Sequence, residues 1–181
     1  MKKIVFSIVL SLFLSHIFAQ TKQTTSPLNA RPKLVVGIVI DQMRWDFLYR
    51  YYDRYSNGGF KRLMQEGFNC ENTMIPYSPT VTAAGHASIY TGSTPALHGI
   101  AGNDWYDYDA QKNMYCTEDK SVKTVGATTK SGEMSPKNLL ATTIGDELKL
   151  ATNFKSKVIG VSLKDRGSIL PAGHSADAAY W

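Results

Sequence analysis

The sequence predicts an α/β fold, a mainly parallel sheet flanked by helices, and three observations carry that prediction. Leu34-Val35-Val36-Gly37-Ile38-Val39-Ile40 is a continuous apolar run that stops on Asp41, the pattern of a strand buried on both faces. Leu140, Ile144 and Leu148 recur at four-residue spacing, which lines one face of a helix. A second apolar run, over residues 157–163, follows that helix. Strand, helix, strand in this order joins parallel strands by right-handed crossovers.

Each element can be justified in chain order. Lys2 and Lys3 precede an apolar stretch from Ile4 to Leu14, followed by Ser15-His16-Ile17-Phe18-Ala19-Gln20. This is the pattern of a secretory signal peptide over residues 1–19, cleaved after Ala19, and its apolar part is too short for a membrane span. No membrane span is expected after cleavage, and the location expected is periplasmic or secreted. Residues 20–32, rich in Thr, Ser, Gln and Pro, read as a flexible linker. Ordered structure is expected over residues 33–181.

After the first strand, residues 45–55 read as an aromatic-rich helix before the Asn57-Gly58-Gly59 break. Residues 60–66 read as a short helix stopped by Gly67. Residues 69–74 are compatible with a strand, and Pro76 and Pro79 then lead into a helix that starts near Thr82 and is capped by Gly92. From residue 93 to 134 no period is sustained, so loops and short strands are expected. Ser135-Pro136 resembles an N-cap followed by proline at the first helical position, opening the helix that carries Leu140, Ile144 and Leu148.

Asp41 and Thr82 are the residues most suggestive of chemistry. A carboxylate at the carboxyl end of a buried strand reaches the sheet edge where ligands bind, so Asp41 is a candidate metal ligand. Thr82, within Pro79-Thr80-Val81-Thr82-Ala83-Ala84-Gly85-His86, opens a helix whose first N–H groups attract anions. Its hydroxyl is a candidate nucleophile for phosphate chemistry. Both positions also suit ordinary helix caps. Lys164 and Arg166 stand two apart after the run ending at Leu163; if the extended conformation persists, both point to one face. A solvated charged turn, with Asp165 pairing locally, is the other reading. His86 reads as a support for the turn, and His98 and His174 as structural.

Composition narrows the field. The formal charge is +5, of which Lys2 and Lys3 supply two. No basic run with interleaved aromatics occurs, which argues against a nucleic-acid groove. Cys70 and Cys116 could form one disulfide in an oxidising compartment; their spacing does not fit a zinc finger.

From Val35 to Trp181 the chain resembles the start of a bacterial phosphate-irrepressible alkaline phosphatase, in the nucleotide pyrophosphatase/phosphodiesterase branch of the alkaline phosphatase superfamily. The motifs are Val39-Ile40-Asp41-Gln42-Met43-Arg44, Pro79-Thr80-Val81-Thr82-Ala83-Ala84-Gly85-His86, Tyr90-Thr91-Gly92, His98-Gly99-Ile100-Ala101-Gly102-Asn103 and Lys164-Asp165-Arg166-Gly167. The resemblance implies that Asp41 and Thr82 are ligands of one zinc, with Thr82 the nucleophile. It implies that Asn103 hydrogen-bonds a phosphoryl oxygen and that Lys164 and Arg166 reach the remaining oxygens. It also implies an alkaline-phosphatase-like fold, incomplete in this chain, that two zinc ions belong to the complete site, and that small-molecule phosphate esters are the substrates. The family's further zinc ligands, an Asp-x-x-x-His and an Asp-His pair, have no match here. The chain is therefore expected to be the amino-terminal part of a larger catalytic domain, inactive alone. Monoester hydrolysis through a phosphothreonine is the leading expectation; a phosphodiesterase or nucleotide pyrophosphatase, or a non-catalytic secreted binding module, are the alternatives. Oligomeric state stays open.

Overall fold

The computed structural model describes residues 32–181. The expected signal peptide and all but the last residue of the expected linker lie outside the described residues. The chain divides into two compact units, one ending at Ile38 and one running from Val39 to Trp181. Residues 32–38 of the first unit carry no regular structure. All the elements below belong to the second.

Helix α1 (Phe47–Arg50) and a 3-10 turn (Tyr52–Arg54) come first. They are followed by α2 (Phe60–Glu66), α3 (Thr82–Thr91) and α4 (Pro95–His98). Strands β1 (Asp104–Asp107) and β2 (Lys112–Tyr115) form an antiparallel hairpin in which Asp104 faces Tyr115. Then come a 3-10 turn (Lys130–Gly132), α5 (Ile144–Ala151), β3 (Ile159–Val161), α6 (Asp165–Ala172) and β4 (Ala178–Tyr180). Strands β3 and β4 pair in parallel across α6, a βαβ unit of the predicted kind. No helix among the described residues is long and apolar enough to cross a membrane.

The core is built where α3 packs on α6. Ala83 and Ala87 of α3 allow that approach, and with Ile100, Cys116, Leu139 and Leu170 they form the buried cluster, against which Trp105 and Tyr115 pack. Glycine is essential at one joint. Gly173 ends α6 at φ 82 and ψ −166, and a Cβ there would overlap Thr143 Oγ1 and Asp146 Oδ2.

Several expectations need correction. Residues 34–40 form no strand; a parallel strand needs a neighbour to take its slanted hydrogen bonds, and among the described residues none pairs with it. Leu34 is consequently 79% exposed. Residues 69–74 are also not a strand; the Asn69 and Glu71 side chains hydrogen-bond the Tyr49 hydroxyl. The helix expected over residues 45–55 is broken into α1 and a 3-10 turn at Tyr51, whose φ −106 and ψ 14 leave the helical range.

Helix α5 begins at Ile144, well after Ser135-Pro136, because Thr143 and Asp146 form a reciprocal capping box. Ser135 serves a turn instead: its hydroxyl donates to Asp119 Oδ2 at 2.6 Å. Leu140 and Ile144 are 76% and 68% exposed, so the predicted apolar face is not the buried one. The buried face holds Gly145, Asp146 and Lys149, and its polar groups are satisfied. Lys149 pairs with Asp177 at 2.7 Å; Asp146 accepts from the N–H groups of Thr143 and Ser175.

Candidate active site

Asp41 and Thr82 meet. The chain turns at Asp41, with Gln42 in the left-handed region at φ 62 and Met43 N–H donating to Ile40 O. Helix α3 is preceded by Val81 as its N-cap, with no side-chain cap. Thr82 is therefore the first helical residue and its hydroxyl is not spent on capping. It donates to Asp41 Oδ2 at 2.9 Å. Residues 41 positions apart thus present two oxygens side by side.

Around them lies a cavity of about 480 Å³ whose walls include Gln42, His86, Ser162, Lys164 and Gly167. A second concavity of about 490 Å³ lies at Val122–Val125 and Ala178–Trp181 and contains none of the predicted site residues. His86 is buried, and its Nδ1 is 2.8 Å from the Thr82 carbonyl. A carbonyl only accepts, so Nδ1 carries the proton and the ring buttresses the first turn of α3. His98 is likewise structural: its Nδ1 accepts from Ile100 N–H and its Nε2 donates to Ser88 Oγ. Burial lowers its pKa. His174 bonds the Leu139 carbonyl and Asp146.

Asn103 approaches from the hairpin side. Its Oδ1 accepts from Ala83 N–H at 3.0 Å, which occupies one of the otherwise unpaired donors at the start of α3 and leaves the Asn103 NH₂ as a donor. Asn103 does not line the cavity, but it is attached to the residue next to Thr82.

Lys164 and Arg166 part company. Lys164 is still extended at φ −136, ψ 142 as the N-cap of α6, and it lines the cavity. The helix begins at Asp165, so strand alternation no longer applies and the shared face expected from the sequence is not formed. Arg166 turns instead toward the hairpin. Its Nη1 donates to Tyr115 OH at 2.7 Å, its guanidinium sits 5.9 Å from the Tyr115 ring centroid, and its Nε is buried without a partner. Tyr115 in turn donates to Asp165 Oδ1 at 2.9 Å, while Thr117 donates to Asp165 Oδ2. Burial, with that bond to Asp165 adding to it, pushes the Tyr115 phenol up to about 12.

Tyr115 and Thr117 were not suspected from the sequence. They lie about 50 positions from Asp165, at the end of the hairpin and just after it, in a stretch without sustained period, and no local signal marks them. The two cysteines do not pair: Cys70 is exposed, and Cys116 is buried in the core, where burial pushes its thiol up to about 12.

The βαβ unit, the helix opening at Thr82 and the Asp41 oxygen beside it define an α/β protein with the alkaline-phosphatase-like fold expected from the sequence. The crystal structure of wild-type alkaline phosphatase PafA matches with a TM-score of 0.82 and 61% identity, over 84% of this chain and 29% of that one. The chain belongs to the type I phosphodiesterase / nucleotide pyrophosphatase family, whose sequence profile matches residues 35–181. Alkaline phosphatase PhoV of Synechococcus elongatus is 64% identical over 94% of this chain and 32% of its own length. A protein of Myroides odoratus named calcium-transporting ATPase is 68% identical over 83% of this chain and 28% of its own. A second PafA crystal structure, of a mutant with a threonine, an asparagine, a lysine and an arginine replaced, matches with a TM-score of 0.82 and 59% identity, over 84% of this chain and 30% of that one. The chain thus spans about a third of the length of these relatives.

Proposed function

We propose that the protein hydrolyses phosphate monoesters by transferring the phosphoryl group to Thr82. The observation that carries this reading is the 2.9 Å contact between Thr82 Oγ1 and Asp41 Oδ2 at the wall of a cavity that also holds Lys164. Further support comes from the named relatives. PhoV and PafA are called alkaline phosphatases, and the replaced residue types in the PafA mutant are those of Thr82, Asn103, Lys164 and Arg166, in the same order.

The donor set fits part of a divalent-cation site. Asp41 and Thr82 offer two hard oxygens a hydrogen-bond length apart, and zinc is the metal that the family resemblance implies. A catalytic zinc takes about three protein ligands. Among the described residues no group of three or more His, Cys, Asp or Glu could hold an ion, so these residues would supply one side of the site. Bound there, the metal would lower the pKa of the Thr82 hydroxyl and neutralise phosphoryl charge.

The chain's own residues would do the rest. Thr82 Oγ1 gives up its proton to water and forms a bond to phosphorus as the bond from phosphorus to the ester oxygen breaks, and that oxygen takes a proton from water as the alcohol leaves. The Thr82 hydrogen already points at Asp41 Oδ2. Lys164 offers its ammonium to the phosphoryl oxygens in the cavity, and Asn103, held at the start of α3, offers its NH₂. Arg166, which lies outside the cavity wall with its Nε buried, is the second cation that the family resemblance implies for the phosphoryl oxygens. Phosphoryl transfer calls for this combination of positioning and charge stabilisation more than for acid–base chemistry. Water then cleaves the phosphothreonine and releases inorganic phosphate.

A phosphodiesterase is the second reading, and one observation favours it: Lys164 lines the cavity and Arg166 does not, which suits a monoanion better than a dianion. The test is turnover by the full-length protein. Monoester hydrolysis should exceed diester hydrolysis, and Lys164→Ala and Arg166→Ala should each cut monoester turnover more than diester turnover. The opposite pattern would establish the second reading. Export to the periplasm or medium after removal of residues 1–19, with residues 20–32 as a linker, also belongs to this proposal and rests on the leader-like amino terminus; amino-terminal sequencing of the exported protein checks it.

A further inference from the structure

We propose that Tyr115 is a positioning residue for Arg166, and that the β1–β2 hairpin sets the distance between the helix that carries the nucleophile and the helix that carries this cation. The inference rests on the reading that Arg166 meets the phosphoryl group. A guanidinium only donates and a carboxylate only accepts, so the direction of the chain is fixed. Arg166 Nη1 donates to the Tyr115 oxygen, and the Tyr115 hydroxyl donates to Asp165 Oδ1. Thr117 holds the other oxygen of Asp165. The Tyr115 hydroxyl and both Asp165 oxygens are satisfied, and one edge of the guanidinium is immobilised while the buried Nε has no protein partner.

The hairpin grips both helices. Asn103, directly before β1, accepts from Ala83 at the start of α3, and Tyr115, the last residue of β2, holds Arg166 in the first turn of α6. Its two ends are tied together, because Cys116 N–H donates to the Asn103 carbonyl at 2.9 Å. A displacement of either helix start would therefore have to break a hairpin bond. Removing the phenol oxygen would also free Arg166 for its neighbour. Nη1 is already 3.9 Å from Asp165 Oδ1, and closing that gap into an ion pair would draw the guanidinium off its present line.

The test uses the full-length protein as wild type, Tyr115→Phe, Arg166→Ala and the double variant. Phenylalanine keeps the ring under the guanidinium and removes only the oxygen. Two readouts are taken: kcat/KM for p-nitrophenyl phosphate, and the inhibition constant of inorganic phosphate. Tyr115→Phe should lower kcat/KM and weaken phosphate, each by about 10-fold, and should have no further effect in the Arg166→Ala background, the mark of two residues acting as one unit. If Tyr115→Phe does not fold, as judged by its melting curve, Asp165→Asn takes its place in the same cycle. An unchanged Tyr115→Phe enzyme, or an equal loss with and without Arg166, overturns the proposal while leaving the phosphatase reading intact. Should wild type neither hydrolyse the monoester nor bind phosphate, or Arg166→Ala change neither, the reading of Arg166 falls and this inference falls with it.

Discussion

Gly173→Ala probes the joint that fixes the far end of α6, the helix whose first turn carries Arg166 and whose N-cap is Lys164. Two costs add. At φ 82 and ψ −166 the backbone is in a region that essentially only glycine occupies, which costs an alanine about 1–3 kcal/mol. The new Cβ would also overlap Thr143 Oγ1 and Asp146 Oδ2, the two side chains of the α5 capping box, and losing such a cap costs about 0.5–2 kcal/mol. The sum is a destabilisation of about 1.5–5 kcal/mol. Gly126→Ala is the control, since Gly126 has φ +80 but nothing within 4 Å of its added Cβ. Both variants of the full-length protein would be unfolded in urea and followed by tryptophan fluorescence. Gly173→Ala should lose about 0.5–2 kcal/mol more than Gly126→Ala, the share assigned to the cap. Equal losses would refute the steric argument and leave only a backbone effect.

Other outcomes follow from the same contacts. Leu170, fully buried in the core cluster, should lose about 2–5 kcal/mol on replacement by alanine, read from the same urea titration. The hydrogen bond from Lys149, with those from the Val158 N–H and Lys157, holds the Asp177 carboxyl well below the usual carboxylate range. Its folded pKa is depressed, so its contribution is full above the unfolded value of about 3.9 and is lost as pH falls below that. Asp177→Asn should flatten the acid limb of the stability-versus-pH curve; an unchanged limb would contradict the pairing. Cys70 should be alkylated by iodoacetamide at neutral pH under native conditions and Cys116 only after unfolding, because one is exposed and the other buried with its thiol pushed up to about 12. Non-reducing mass spectrometry showing a Cys70–Cys116 disulfide would contradict this.

Local signals were read well where local physics decides. Helix α2 occupies residues 60–66 as its Gly59 and Gly67 boundaries indicated, and α3 runs from Thr82 to a left-handed Gly92. The signals misled where distant partners decide. Ser135-Pro136 has the chemistry of a helix start, but Asp119 claims the Ser135 hydroxyl, and Thr143 with Asp146 makes the better cap. The spacing of Leu140, Ile144 and Leu148 gave a genuine stripe, yet the face that is buried carries Asp146 and Lys149 because Ser175 and Asp177 receive them. Residues 34–40 carry the composition of a central strand, and composition cannot supply the neighbours whose hydrogen bonds make one. At the site, proximity of Asp41 to Thr82 was implied by the family resemblance and is found at 2.9 Å. The separation of Lys164 from Arg166 was not, since it depends on α6 starting between them and on a tyrosine from the hairpin.

The central claim is that Thr82, set beside Asp41, becomes the phosphoryl acceptor. Its most direct test is to quench the full-length protein in acid during monoester turnover and map phosphate by mass spectrometry. The account predicts phosphate on Thr82, none on any residue of Thr82→Ala, and loss of turnover in that variant. Normal turnover by Thr82→Ala, or phosphate trapped on a different residue, would contradict it.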